Sequence, residues 1–200
     1  MCRGKTSFCS PLPRGTHSKT PENTVTLDPA TANPIYVVTT GGTIDKIYFD
    51  ALSQYQIGAS VVHRLLEVGR VACPFHIVEV LRKDSLDLTP EDRELIRARV
   101  AELPTTRVVI THGTDTMTQT AQVLAAIRDK TIVFTGSLSP ARFSESDATF
   151  NLGMAFATVQ VAAPGVYIAM SGQVFRADRV RKDRAAGRFV PVEPADQPIR

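Results

Sequence analysis

Residues 107–135, RVVITHGTDTMTQTAQVLAAIRDKTIVFT, decide the fold of this chain. Arg107–Thr111 and Thr131–Thr135 are short, nearly continuous apolar and β-branched runs, which favour strands buried on both faces. Between them, residues 116–128 are predicted to form a helix. This strand–helix–strand order predicts two parallel strands joined by a crossover helix, the repeating unit of α/β folds.

The same alternation continues outward in both directions. One helix is predicted to begin at Thr89, because the sequence there supplies an N-cap, a proline at the first helical position and then two acidic residues, Thr89-Pro90-Glu91-Asp92. The sequence therefore predicts an open, mostly parallel, three-layer sheet of the Rossmann or flavodoxin type, with helices on both faces. Further strands are predicted at residues 35–38, 75–81 and 166–170, and further helices at 61–68, 89–102 and 147–161.

Residues 1–33 differ from the rest of the chain. They are rich in Pro, Ser, Thr and Gly, lack periodicity, and carry basic but no acidic side chains in the first 20 positions. We expect a disordered or loosely attached extension there and a single α/β domain over residues 34–200. Because no Lys/Arg stripe with interleaved aromatic residues appears, a solvated basic arm is favoured over nucleic-acid binding.

Composition narrows the class of protein further. With 43% apolar and 22% charged residues and a net charge of +3, the chain is typical of a globular protein. No apolar run reaches the roughly 20 residues that a membrane span needs, and no apolar segment follows the basic N-terminus. Three cysteines without framework spacing favour a reduced protein, so we expect a cytoplasmic location. No metal-ligand set stands out, and no metal or cofactor is expected.

Two clusters of glycine and hydroxyl residues follow predicted strands. Thr39-Thr40-Gly41-Gly42-Thr43 ends the first strand, and His112-Gly113-Thr114-Asp115-Thr116 follows the third. Ligands bind at the carboxyl ends of strands in open α/β sheets, and paired glycines let a substrate approach the backbone closely. A capped turn or a helix cap at Asp115 explains either cluster alone. Their placement at two strand ends predicts one shared site.

Thr43 is the nucleophile that this placement suggests. A threonine hydroxyl stays protonated at neutral pH, so a neighbouring base or cation must activate it. A threonine–aspartate–lysine relay does this when the lysine takes the proton. Lys182 and Lys83 are both candidates for that lysine, and the phenols of Tyr48 and Tyr55 are candidates for an assisting group. Spacing along the chain does not choose among them.

The two clusters together resemble the signatures of the bacterial-type L-asparaginase/glutaminase family. The first signature is Thr40-Gly41-Gly42-Thr43-Ile44, and the second is Thr111-His112-Gly113-Thr114-Asp115-Thr116. The likeness covers roughly residues 35–185 and corresponds to the N-terminal catalytic domain alone, in a short form. Intervening segments that also resemble the family are Tyr55-Gln56-Ile57-Gly58, Gly136-Ser137-Leu138-Ser139-Pro140, Ser146-Asp147 and Phe150-Asn151-Leu152.

By this resemblance, Thr43 attacks a side-chain amide, forms an acyl-enzyme and releases ammonia. Tyr55, on a loop that closes over the substrate, assists the proton transfer. Thr114, Asp115 and Lys182 form the second catalytic group. Lys182 is matched through its preceding segment, which resembles the one that carries the family lysine. The implied activity is hydrolysis of the side-chain amide of L-asparagine or a related amide.

The resemblance also implies residues that bind the substrate. Asp115 would pair with its α-amino group. The family places a serine for the substrate carboxylate two residues before an aspartate; aligned on Asp84, that position holds Arg82, with Ser85 as a nearby alternative hydroxyl. The expected substrate-binding set is Gly42, Arg82, Asp84, Gly113, Thr114 and Asp115. Within it, backbone N–H groups near Gly42 and Gly113 face the oxyanion, Arg82 meets the carboxylate and Asp115 holds the amine.

Family members typically carry a second domain, and a neighbouring subunit lends acidic residues to each site. We therefore expect a homodimer or higher homo-oligomer that acts on a small-molecule amide, with no nucleic-acid or membrane partner. The alternative is a non-catalytic or altered-specificity amino-acid-binding domain that retains the pocket. A nucleotide-binding module has little support, because Gly4-Lys5-Thr6 lacks the preceding strand and glycine of a phosphate loop.

Overall fold

The computed structural model of the chain describes residues 33–49 and 54–192. Its strands are β1 (Ile35–Gly41), β2 (Lys46–Phe49), β3 (Gln54–Ile57), β4 (Phe75–Lys83), β5 (Arg107–Thr111), β6 (Thr131–Thr135), β7 (Gly165–Met170), β8 (Gln173–Arg176), β9 (Val180–Asp183) and β10 (Arg188–Pro191). Its helices are α1 (Val62–Val68), α2 (Pro90–Glu102), α3 (Met117–Leu124) and α4 (Ala148–Val161). Apart from Asn33, the predicted extension of residues 1–33 lies outside the described residues.

A six-stranded sheet in the order β4-β1-β5-β6-β7-β8 forms the centre of the domain. The strands from β4 to β7 run parallel, and β8 pairs antiparallel with the end of β7. Two hairpins, β2–β3 and β9–β10, make separate two-stranded sheets. The predicted α/β class with a mostly parallel sheet is confirmed.

Side chains pack on both faces of this sheet. Along β1, Val37 lies in the apolar cluster on the face of α1 and α4, while Val38 lies in the cluster on the face of α2 and α3. Both residues are fully buried, which explains why the strand sequence is a continuous apolar run rather than an alternating one. Across the described ranges, no helix is both long and apolar enough to cross a membrane.

The connections diverge between β1 and β5. From β1 the chain passes through α1 to β4 on one side, and from β5 it passes through α3 to β6 on the other side and on the opposite face. This divergence opens a crevice at the carboxyl ends of β1 and β5, where open α/β sheets bind ligands. The connection β6–α4–β7 has the opposite hand to the other crossovers, because it steps in the same direction as β5–α3–β6 on the other face.

The predicted elements differ from the observed ones mainly at their ends. Thr89 caps α2 as predicted, with Oγ1 accepting from Asp92 N at 3.2 Å and the Asp92 carboxylate accepting from Thr89 N at 3.0 Å. The helix predicted over 116–128 ends at Leu124, since the next residues close a tighter turn through a bond from Ile127 N to Leu124 O. The two hairpins and β8 were not predicted, because each of their strands has only four residues, too few to show a strand pattern.

Candidate active site

The backbone after β1 turns against the backbone after β5. Gly42 has φ 92°, a conformation that L side chains rarely adopt, and a Cβ at this position would overlap the backbone of Gly113. Gly42 N donates to Lys83 O at 3.1 Å, and a short 3₁₀ turn, Thr43–Asp45, follows. The close approach of Gly42 to Gly113 brings the two predicted clusters together in space.

A lysine from a distant hairpin reaches the second cluster. Lys182, on β9, donates through Nζ to Thr114 Oγ1 at 2.7 Å and to Asp115 Oδ1 at 2.8 Å. Thr114 is buried, and the side chains of Lys182 and Asp115 are largely and partly covered, so this ion pair is shielded more than a surface pair. Arg184 Nε lies 3.8 Å from the same Asp115 oxygen. The amine therefore contacts both the hydroxyl and the carboxylate.

The other candidate lysine is engaged elsewhere. Lys83 Nζ contacts both carboxylate oxygens of Asp92 at the start of α2, at 2.9 and 2.8 Å. Between the two lysines that the sequence left open, Lys182 is the one in contact with Thr114 and Asp115. Within residues 33–49 and 54–192, no group of three or more His, Cys, Asp or Glu side chains is placed to hold a metal ion.

The residues expected at the substrate carboxylate separate in space. Arg82 Nη2 pairs with both carboxylate oxygens of Glu79 on the exposed side of β4. Asp84 binds Lys46 Nζ at 2.8 Å and caps the short turn Ser85–Asp87. Ser85 lies directly over Gly113, where a Cβ would come within 2.5 Å of its Oγ. It is buried, and its hydroxyl has no hydrogen-bond partner among the described residues.

The family model described as asparaginase, N-terminal, matches residues 34–190. This chain belongs to the asparaginase family. The resemblance in sequence implied this membership. Membership explains why two hydroxyl clusters lie at the ends of the neighbouring strands β1 and β5.

Relatives in this family are about twice as long. The chain is 31% identical over 159 residues to L-asparaginase of Thermococcus kodakarensis, covering 76% of this chain and 48% of that protein. It is 30% identical over 164 residues to the glutaminase-asparaginase of Acinetobacter glutaminasificans, covering 75% and 50%. The solved structure of “Probable Cytoplasmic L-asparaginase” from Campylobacter jejuni matches with a TM-score of 0.66 at 30% identity, over 75% of this chain and 49% of that one. The chain spans about half the length of the relatives it matches.

In this asparaginase-type domain, Tyr55 lies on the β2–β3 hairpin that follows the Thr43 turn. It pairs across the hairpin with Tyr48, and the two rings contact edge to face at 5.6 Å between centroids. The ring of Phe143, from the loop after β6, lies 6.3 Å from that of Tyr55. All three side chains are about half exposed, so they form an aromatic rim rather than part of the core.

His112, the first residue of the second cluster, was given no role in the sequence analysis. Burial lowers the pKa of its imidazole to about 4, so the ring is neutral at pH 7. Its Nδ1 lies 2.7 Å from Gly113 O and its Nε2 lies 2.9 Å from Thr120 Oγ1. Because a carbonyl only accepts, Nδ1 carries the proton and Nε2 accepts from the Thr120 hydroxyl. The neutral ring thereby fixes the Gly113 peptide.

Two further groups near the site had weak sequence signals. Ser85 follows an aspartate that caps a tight turn, and that pattern identifies the turn but not the hydroxyl's position over Gly113. Asp45, two residues after Thr43, is 1% exposed. A charged residue is almost never buried without partners, but nothing in the local sequence indicates its burial.

Proposed function

We propose that this chain hydrolyses the side-chain amide of L-asparagine, or a related amide, to the acid and ammonia. The observation that carries the proposal is the contact of Lys182 Nζ with Thr114 and Asp115 beside the turn that presents Thr43. A hydroxyl nucleophile and a hydroxyl–carboxylate–amine group at one strand-end crevice are the parts that acyl transfer through a threonine requires.

In the first step, the Thr43 oxygen adds to the amide carbon. Its proton passes to the Thr114–Lys182 group, in which Asp115 orients the amine. The same group then protonates the amide nitrogen, which leaves as ammonia, and Thr43 is left as an ester. Water hydrolyses this acyl-enzyme and restores the hydroxyl. The 2.7 Å contact between Lys182 and Thr114 supports direct proton exchange between them.

The substrate's charged ends have separate partners in this proposal. Asp115, whose side chain is 35% exposed, retains an open oxygen edge for the α-ammonium group. The Ser85 hydroxyl over Gly113 suits the α-carboxylate, in place of Arg82. Gly42 N is already bonded to Lys83 O, so backbone stabilisation of the oxyanion falls to the Gly113 side of the crevice rather than to the Gly42 amide.

We also propose that the chain forms a homo-oligomer and that it lies in the cytoplasm. The half-exposed aromatic rim of Tyr48, Tyr55 and Phe143 supports a second copy at the open edge of the site, because such rings are enriched at interfaces. The name of the Campylobacter jejuni relative supports the cytoplasm. Sedimentation velocity across a range of protein concentrations tests the assembly: a single monomer species throughout would refute it.

Ammonia release from a panel of amides tests the activity. Asparagine, glutamine and larger amides are compared for wild type, Thr43→Ala and the control Thr106→Ala, which removes an exposed hydroxyl at the other end of β5. Thr43→Ala is expected to lose roughly 1,000-fold or more in kcat/KM, as removal of a nucleophile does elsewhere. Equal activity of Thr43→Ala and wild type would exclude the threonine mechanism.

The alternative is an amino-acid-binding domain without turnover that retains the same contacts among Thr114, Asp115 and Lys182. Calorimetric titration with asparagine and aspartate separates it from the hydrolase. Binding of asparagine by wild type without any ammonia release would establish the alternative, whereas ammonia release that depends on Thr43 would remove it.

A further inference from the structure

Asp45 is a buried carboxylate that the proposed reaction does not use. It closes the short turn after Thr43, with its N–H donating to Gly42 O at 3.1 Å. Its carbonyl accepts from Gly58 N at 2.9 Å, and its Oδ1 accepts from Val61 N at 2.9 Å. The backbone of Asp45 therefore contacts the nucleophile turn and the end of the hairpin, and its carboxylate contacts the start of α1.

These contacts join the two ends of the β2–β3 hairpin. β2 starts directly after Asp45, Lys46 pairs with Ile57 at the base of the hairpin, and the chain returns to Asp45 at Gly58 and Val61. The hairpin makes a sheet of its own with no ladder to the central sheet. Its position relative to the Thr43 turn therefore depends on contacts at its base, among which those of Asp45 join both ends.

The carboxylate is buried at a cost. Burial raises the pKa of Asp45, while the N–H of Val61 and the hydroxyl of Ser60 favour its ionised form; Glu79 raises the pKa further and Arg142 lowers it. A carboxyl group removed from water destabilises the fold unless its hydrogen bonds compensate. The hydrogen bond from Val61 N, which fixes the start of α1 to the turn after Thr43, explains this buried carboxylate better than packing does.

We propose that Asp45 is a positioning residue that fixes the Tyr55 hairpin against the turn carrying Thr43. The inference rests on the proposed function and on the role that the family resemblance implies for Tyr55, which is to assist proton transfer at Thr43. If Asp45 sets the distance between them, loss of its carboxylate lowers turnover through Tyr55 and leaves the Thr114–Lys182 contact intact.

Kinetics of five variants, including Tyr55→Phe alone, test this. Asp45→Ala is expected to lower kcat roughly 10- to 100-fold, the scale on which small displacements of catalytic groups act. Asp45→Asn keeps an oxygen for Val61 N and recovers part of that loss. Val159→Ala, a core change in α4 of comparable destabilisation, keeps wild-type kcat at temperatures where it is folded. In the double variant Asp45→Ala/Tyr55→Phe, the loss of kcat is expected to match the larger of the two single-variant losses rather than their product.

Multiplicative losses in the double variant, or equal kcat losses for Asp45→Ala and Val159→Ala, would overturn the proposal. A readout independent of activity is hydrogen exchange. Asp45→Ala removes the acceptor of Val61 N but keeps the carbonyl that accepts from Gly58 N. It is expected to accelerate exchange at Val61 directly and at Gly58 through loosening of the hairpin base, while β5 and β6 stay protected; unchanged exchange at both amides would refute it. An inactive wild type with this local acceleration would refute the proposed function and leave Asp45 as the anchor of the hairpin.

Discussion

The candidate site has two halves that are held in different ways. One half stands on the central sheet and the β9 hairpin, where Thr114 is 4% exposed and the Lys182 side chain 15% exposed. The other half stands on the β2–β3 hairpin, where Tyr55 is 52% exposed and contacts Tyr48 and Phe143. Packing and hydrogen bonds fix the sheet half, while the hairpin half depends on its base and on a few ring contacts.

This difference indicates that the two halves have different roles in the proposed reaction. Groups that exchange protons need fixed distances, which the buried half supplies. Groups that admit and cover a substrate need access, which the exposed half supplies. Substitutions in the two halves are therefore expected to differ in size and in kind.

The largest effect is expected in the sheet half. Lys182→Met removes the amine that contacts Thr114 and Asp115 and should lower kcat/KM roughly 1,000-fold, about 4 kcal/mol of transition-state stabilisation. Lys83→Met, the matched control, breaks only the contact with Asp92 and should change kcat/KM little. Steady-state ammonia release decides between them, and equal losses would show that the lysine assignment is wrong.

The stability of the half on the central sheet is expected to depend on pH, because His112 is buried there. Its pKa is about 4 in the folded chain and about 6.5 when exposed, so the unfolded state binds more protons between these values. Stability is full above pH 6.5 and should fall by about 3 kcal/mol as the pH drops toward 4. Urea unfolding between pH 4.5 and 7 measures this loss.

His112→Gln should remove this contribution to the slope, and His76→Gln, at an exposed site on β4, should leave it in place. The same slope in His112→Gln and wild type would contradict the assignment.

A smaller effect is expected at the hairpin. Tyr55→Phe keeps both ring contacts and loses only the phenol, so kcat should fall roughly 10- to 100-fold, as for loss of a general acid–base group. Because the side chain is half exposed, the melting temperature should not change. Tyr48→Phe serves as the control and should retain wild-type kcat. A stability loss without a kcat loss in Tyr55→Phe would make the residue structural.

The smallest effect is expected at Arg82. Its exposed ion pair with Glu79 contributes at most about 1 kcal/mol, and Arg82→Ala should leave KM for asparagine unchanged. Ser85→Ala should raise KM roughly 5- to 10-fold, the effect of losing one hydrogen bond to a charged group. The reverse ranking of the two variants would restore Arg82 as the carboxylate ligand.

The sequence predicted the five parallel strands of the central sheet because strands buried on both faces must be apolar along their length. It also predicted that Thr43, Thr114 and Asp115 follow strand ends, since turns there need glycines such as Gly42 and Gly113. It did not predict the hairpins, whose four-residue strands are stabilised by cross-strand pairing and are too short to show a periodic apolar face.

Local pattern alone determined the α/β class and the position of the two hydroxyl clusters, because strand burial and turn chemistry act over a few residues. Only the tertiary structure decided which lysine reaches Thr114 and Asp115, since Lys182 lies 68 and 67 positions away from them along the chain. The same holds for Ser85 over Gly113 and for the burial of Asp45. Contacts of this range depend on how the elements pack together, and no spacing within a single segment encodes them.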